Sequence, residues 1–213
     1  IQVAGVDEIA GAYPVNIFDV TILVVLGTKV MALHVHPGNP MTDLSVGWVD
    51  WNPTPPDTNM GVWRDVVVLR PGDVRVADPH VLSELSDSLD RAELRVAVDV
   101  ENAGHADHVV TLTGVVHGPT RSHRFSRDVK VSAGERRRVH FTALETPALV
   151  IADPELWWPV GQGDQPLHDL RLTASVEGAL SDQVSTTFGI RQVSSRIAAG
   201  GGRVFIVNKR PVQ

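Results

Sequence analysis

"ELRVAVDVEN", residues 93–102, decides how the rest of the chain is read. Leu94, Val96, Val98 and Val100 fall on one side of an extended strand, and Arg95, Ala97, Asp99 and Glu101 on the other. Side chains alternate across a strand with period two, so this is a strand with one buried face and one wet face. A slip of one residue would turn the apolar row into water, which makes the register firm. The same alternation predicts strands at 30–35, 62–69, 108–117, 124–131, 137–143, 167–176 and 184–193. Helix signals are nearly absent. Turn clusters separate the strands: "ENAGHAD", "HGPTRS", "SAGE" and "EGALSD". "SAGE", 132–135, lies between two alternating runs and suits a tight hairpin.

From about Val76 to Ser195 there are roughly seven short strands at regular intervals, the pattern of an immunoglobulin-like sandwich. The Cys…Trp…Cys hallmark of antibody domains is missing, so the match is to the architecture. Residues 1–75 are β-like but hold too few strands to close a domain. "GGGR", 200–203, reads as a linker, and "VFIVN" begins something new. No internal repeat stands out.

Bulk properties exclude several functions. The formal net charge is -6, which argues against a nucleic-acid partner, because phosphate binding needs a basic surface. The run Arg136-Arg137-Arg138 enters a strand pattern and reads as a solvated edge. No apolar run reaches the ~20 residues that cross a bilayer, so no membrane partner is expected. The chain has no cysteine, so disulfides, thiolate catalysis and cysteine-ligated metals are out. It opens without Met and stops straight after an apolar strand. Both ends look cut, and a fragment of a longer protein is expected.

One loop resists the sandwich reading. "GWVDWNPTPPDTNMGVWRDVVVLRPG", 47–72, is rich in proline and polar residues yet carries Trp48, Trp51 and Trp63, three of the five tryptophans. Solvated loops do not usually hold indoles. Prolines 53, 55 and 56 restrict the backbone and lower the entropy lost on ordering.

Several stretches, in order, resemble the non-catalytic front part of glycoside hydrolase family 2. "GAYPVNIFDVTILVVLGTKVMALHV" (11–35) looks like the end of that family's sugar-binding-like jelly roll. "VDWNPTPPDTNMGVWRDVVV" (49–68) resembles the β-mannosidase loop "W-D-W-G-P … M-G-I-W-K-D-V". It is closer to the exo-β-glucosaminidase branch, with "D-W … T-P-P-D-x-N-M-G". "PELWWP" (154–159) with "GDQPLHDL" (163–170) resembles "P-x-L-W-W-P … Q-P-x-Y-D-L", His168 replacing Tyr. "FGIRQV" (188–193) and "GGRVFIVNKRP" (201–211) resemble the passage that leads into the family's barrel, Lys209 replacing Gly.

The resemblance implies an all-β chain in three parts. Residues 1–75 would be the end of a jelly roll, 76–195 an immunoglobulin-like sandwich, and 196–213 a linker and first strand leading to a (β/α)₈ barrel. That barrel carries the family's two carboxyl groups, which retaining chemistry holds about 5–5.5 Å apart. The chain stops before it, so no catalytic residue is assigned and the chain alone is expected to be inactive. Asp153 and Glu155 flank Pro154 in a turn and read as solvated carboxylates. Carbohydrate and the barrel itself are the implied partners. In the relatives the loop walls the sugar subsite, which points first to Asp50 and Trp51, then to Asn52, Asp57 and Asn59. Asn52 stands where the mannosidase motif has Gly. The other reading of Asp50 and Trp51 is a structural clamp between domains. Trp63 reads as core or interface, and Trp48 stays open between the two.

Trp157 and Trp158 alternate in direction if extended, so one is expected in the sandwich core and the other against a neighbouring domain. His34 with His36, and His105 with His108, are close pairs without a clear third ligand, so no metal site and no cofactor are expected. Gly161-Gln162-Gly163 is not followed by a helix and is no nucleotide site. The substrate expected of the longer protein is a β-glucosaminide first and a β-mannoside next. The competing reading is a stand-alone carbohydrate-binding or adhesion module, against which the open jelly roll weighs, since unpaired edges invite aggregation. An incomplete jelly roll would be partly disordered or would self-associate with a second copy. Secretion fits polymer-degrading relatives, though no targeting segment is present to show it.

Overall fold

The computed structural model describes residues 62 and 64–212, and before them positions 17, 18, 20, 21, 26–28, 31, 33 and 35. The chain divides into two compact units, 1–68 and 69–213. In the first, Ile17, Leu26, Met31 and Leu33 are exposed. Most of the expected jelly-roll part, and half of the strand expected at 30–35, lie outside the described residues. The strand expected at 62–69 is not found: its described residues carry no ladder pairing, and Val66, Val67, Val68 and Leu69 are exposed. Apolar residues can supply a face, but a strand also needs a neighbour to complete its ladder, and no described residue does so.

The second unit is all β. Its strands are β1 Val74–Leu85, β2 Arg91–Asn102, β3 His108–His117, β4 Ser122–Val131, β5 Arg136–Phe141, β6 Val150–Ala152, β7 His168–Val176, β8 Ala179–Phe188, β9 Val193–Ile197, β10 Arg203–Val207 and β11 Arg210–Val212. One four-stranded sheet runs β1-β2-β5, with β6 also on β2, and the other runs β4-β3-β7-β8. Every pair in them is antiparallel. The two sheets share one core, which makes an immunoglobulin-like β-sandwich. β9, β10 and β11 form a separate antiparallel sheet.

The opening stretch lies at the centre. The inward row of β2, from Ala92 through Leu94, Val96 and Val98 to Val100, is fully buried. From the other sheet come Val110, Leu112 and Val116 of β3 and Leu170, Leu172 and Ala174 of β7, all equally buried. Gly114 interrupts the β3 row because Phe125 lies across from it on β4 and fills its place. The Phe125 ring meets Phe141 of β5 edge-on, with centroids 4.9 Å apart, and so joins the two sheets.

Asn102 ends the inward row and is also fully buried. Its Nδ2 donates to Ala106 O (2.8 Å) and Val131 O (3.2 Å), and its Oδ1 accepts from Gly104 N (3.0 Å). A buried amide is tolerated when its polar atoms are paired, and this one ties the 103–107 turn to the end of β4.

"SAGE" is not a hairpin. β4 pairs with β3 and β5 with β2, so 132–135 crosses from one sheet to the other. Gly134 takes φ +70° there, Glu135 N donates to Ser132 O, and Ser132 N donates to Glu135 Oε2. "EGALSD" is also shorter than expected. Glu177 (φ 51°) and Gly178 (φ 80°) alone make the turn, Val176 pairs with Ala179, and β8 begins at once. Positive φ at both central residues is the two-residue turn whose twist suits a hairpin.

Side chains close both seams of the sandwich. At one, the pairing of β7 with β8 skips Ser181 between Leu180 and Asp182. The bulge aims Ser181 at edge strand β1: its Oγ accepts from Val74 N (3.0 Å) and donates to Val74 O (2.7 Å). Asp182 Oδ2 accepts from Val76 N at 2.9 Å. At the other seam Arg127 of β4 donates to His140 O of β5 (2.8 Å), and Arg137 of β5 donates to Lys130 O of β4 (3.2 Å). Edges satisfied in this way offer few free groups to another chain.

The Arg136–Arg138 run does lie on an edge strand, and all three residues are exposed. Arg136 and Arg138 share a face and both donate to the Asp99 carboxylate of β2, at 2.9 and 2.7 Å. Burial works against the Asp99 charge, but the two guanidinium bonds outweigh it and hold the carboxyl below its ordinary range.

Candidate functional site

After β6 the chain runs through "PELWWP" with one isolated bridge, Leu156 to Ile190. Leu156 packs against the core. Trp157 and Trp158 do not follow it: both are half-buried, and neither belongs to the core. The expectation that one would enter the core is corrected, since Leu156 takes the inward place. Trp157 N donates to Ile190 O, and Trp158 N donates to Asp164 O. Each indole lies against a glycine. A Cβ on Gly189 would sit 2.6 Å from Trp157 Cβ, and one on Gly163 2.8 Å from Trp158 Cδ1. Gly163 of the Gly161-Gln162-Gly163 pattern therefore serves packing, whereas Gly161 takes φ 82°.

Each indole also carries a guanidinium on its ring. Arg191 stands 4.4 Å from the Trp157 centroid and Arg210 of β11 stands 4.5 Å from the Trp158 centroid. A cation over an indole face is attracted by the ring quadrupole. The Arg210 stack brings the β9–β11 sheet to the "WW" segment, while Arg191 lies between β8 and β9.

A buried amide completes the junction. Asn208 and Lys209 turn β10 into β11 with φ 46° and 65°, and Val207 pairs with Arg210. Gly200–Gly202, expected as a linker, forms the loop between β9 and β10, closed by Ala198 N donating to Gly202 O. Asn208 is fully buried. Its Nδ2 donates to Trp157 O (3.0 Å), and its Oδ1 accepts from Gln192 N (2.9 Å). Gln192 Oε1 accepts in turn from Leu85 N at 3.0 Å, so the chain of bonds reaches the end of β1. Lys209 Nζ donates to Asp87 Oδ1 at 2.6 Å.

A cavity of about 70 Å³ is lined by His168, His123, Asp153 and Glu155 among others. His168 is buried, and its Nδ1 has no partner among the described residues. Burial holds the imidazole below its ordinary value; His123 pushes the same way, while Glu155 and Asp169 oppose it. The unfolded chain therefore takes up a proton below about pH 6.5 that the folded chain resists, and stability falls as pH drops through the depressed folded value. His168→Phe is expected to flatten the loss of stability between pH 7.5 and 5 in urea titrations. Equal losses in both proteins would refute a role for His168. Asp153, with φ 47°, is exposed as expected of a turn carboxylate, whereas Glu155 is half-buried.

Asp50, Trp51, Asn52, Asp57 and Asn59 lie outside the described residues, as do Trp48, Trp63, His34 and His36. No group of three metal-binding side chains occurs among the described residues. His108 Nε2 lies 3.4 Å from Asp73 Oδ2. No described helix is long and apolar enough to cross a membrane. Sequence reasoning missed Asn208 and Gln192. The available signal was an Asn right after an apolar strand, a residue suited to positive φ in a tight turn.

The profile described as "Glycosyl hydrolases family 2" matches residues 74–191, and the chain belongs to that family. It is 41% identical, over 98% of its length, to the exo-beta-D-glucosaminidase of Streptomyces avermitilis, of which it covers 23%. It is 33% identical, over 78% of its length, to the mannosylglycoprotein endo-beta-mannosidase of Lilium longiflorum, of which it covers 18%. The crystal structure of the Amycolatopsis orientalis exo-chitosanase CsxA superposes with a TM-score of 0.70 at 39% identity, covering 84% of this chain and 20% of that one. The chain thus spans less than a quarter of the length of these relatives.

Proposed function

We propose that this chain is the accessory, non-catalytic part of a retaining exo-glycosidase that hydrolyses O-glycosidic bonds. β-Glucosaminide is the first substrate and β-mannoside the second. The observation that carries this reading is the likeness to an exo-beta-D-glucosaminidase across 98% of this chain but only 23% of that protein. In this reading the sandwich buttresses a (β/α)₈ barrel that holds both catalytic carboxyl groups. The loop with Asp50, Trp51, Asn52, Asp57 and Asn59 forms one wall of the sugar pocket. The closed seams and saturated amides of the sandwich suit a rigid support.

The loop is tested in the longer protein. Loss of one indole–pyranose contact removes about 1.4 kcal/mol, so Trp51→Ala is expected to raise KM for an aryl β-D-glucosaminide about tenfold. Asp50→Asn should raise KM more for the glucosaminide than for a mannoside, because only the former presents an ammonium group. Unchanged KM in both variants would remove the loop from the pocket.

A further inference from the structure

We propose that Asn208 is a positioning residue that sets the angle at which the chain leaves the sandwich for the barrel. The inference rests on the accessory-part reading. Two segments meet on the Asn208 side chain, and a third is tied in through Gln192. Its Nδ2 holds the Trp157 carbonyl, its Oδ1 holds the Gln192 backbone N–H, and Gln192 holds the Leu85 N–H at the end of β1. The backbone closes the same knot, with Asn208 N donating to Gln192 O at 2.9 Å.

The burial and geometry restrict what can stand there. The side chain is fully buried, so an unpaired polar atom would go without solvent. The backbone has φ 46°, which Asn tolerates better than most residues. Among the described residues, the Nδ2 bond is the direct hydrogen bond between the β10–β11 turn and the "WW" segment. The Arg210–Trp158 stack lies beside it, but stacked rings and guanidinium groups slide more freely than an amide–carbonyl bond. The amide thus fixes the direction of the β10–β11 hairpin. A barrel that continues from that hairpin is held at one angle to the sandwich.

The experiment uses the longer protein, and Asn208→Asp is the sharp variant. It keeps the shape, the tolerance of positive φ and the acceptor for Gln192 N. It removes the donor to Trp157 O and sets a carboxylate oxygen against that carbonyl. Tilting the barrel against the sandwich that buttresses it impairs substrate binding while the barrel's own carboxyl pair stays intact. The expected result is a rise of about tenfold in KM for an aryl β-D-glucosaminide, with kcat within about twofold of wild type. A purely structural role would instead lower the melting temperature and the active fraction, so kcat would fall at constant KM; that result overturns the proposal. Should Asn208→Asp not fold, Asn208→Gly keeps the backbone geometry, and the same split in KM and kcat decides. A wild-type longer protein that cleaves neither glucosaminide nor mannoside would strike the accessory reading itself, before any variant is compared.

Discussion

Gly114→Ala is expected to destabilise the sandwich by about 3 kcal/mol, although it adds a single methyl group. A Cβ at that position would lie 2.1 Å from Phe125 Cζ and 2.4 Å from its Cε2. The ring has little room to withdraw. Phe141 packs edge-on against it with centroids 4.9 Å apart, and the Arg127 guanidinium covers Phe141 at 4.8 Å. Phe125 is itself 4% exposed, so solvent is no refuge without loss of its burial. The reverse change, Phe125→Ala, leaves a cavity over a bare glycine and should cost about 3–5 kcal/mol. Residues that share one space do not add their effects. Gly114→Ala combined with Phe125→Leu should therefore lie well above the sum of the single changes in urea denaturation. Strict additivity would show that the glycine and the ring do not share one space.

Asn102→Ala carries the second large effect, about 3 kcal/mol. The amide makes three hydrogen bonds from a site with no solvent access. Truncation leaves Ala106 O, Val131 O and Gly104 N to find partners around a void. Asn102→Asp should be no better: it keeps the acceptor for Gly104 but turns a charge toward two carbonyl oxygens. Both appear as a lower urea midpoint at unchanged slope. A loss under about 0.5 kcal/mol would place the amide among surface-like substitutions, in conflict with its burial.

The strands with one buried face were legible where nothing broke their period. β3 has the span expected, 108–117, and the inward row of β2 is the quoted row. β1 is absent from the expected strands, because its pattern changes parity midway. Val74 and Val76 face in, Asp78 and Pro79 stand at a bulge against β2, and Val81 and Leu85 then face the core. The hairpin expected at "SAGE" failed for a different reason. Alternation tells which face is buried but not which neighbour completes the ladder, and β5 finds β2 across the core from β4.

The junction was legible only in part. The tryptophans stood out in sequence, but their guanidinium covers come from Arg191 and Arg210, far along the chain. Asn208 meets Gln192 16 residues away and Trp157 51 residues away, a separation that no local pattern encodes. The loop with Asp50 and Trp51 is legible only through motif order, and it lies outside the described residues.

The most direct measurement compares hydrolysis of an aryl β-D-glucosaminide by this chain alone with that by the longer protein, at equal molar concentration. An accessory part gives no turnover alone, while the longer protein releases the aryl group with retained anomeric configuration. Turnover by the 213 residues alone would contradict this, since it would place the catalytic carboxyl groups within this chain.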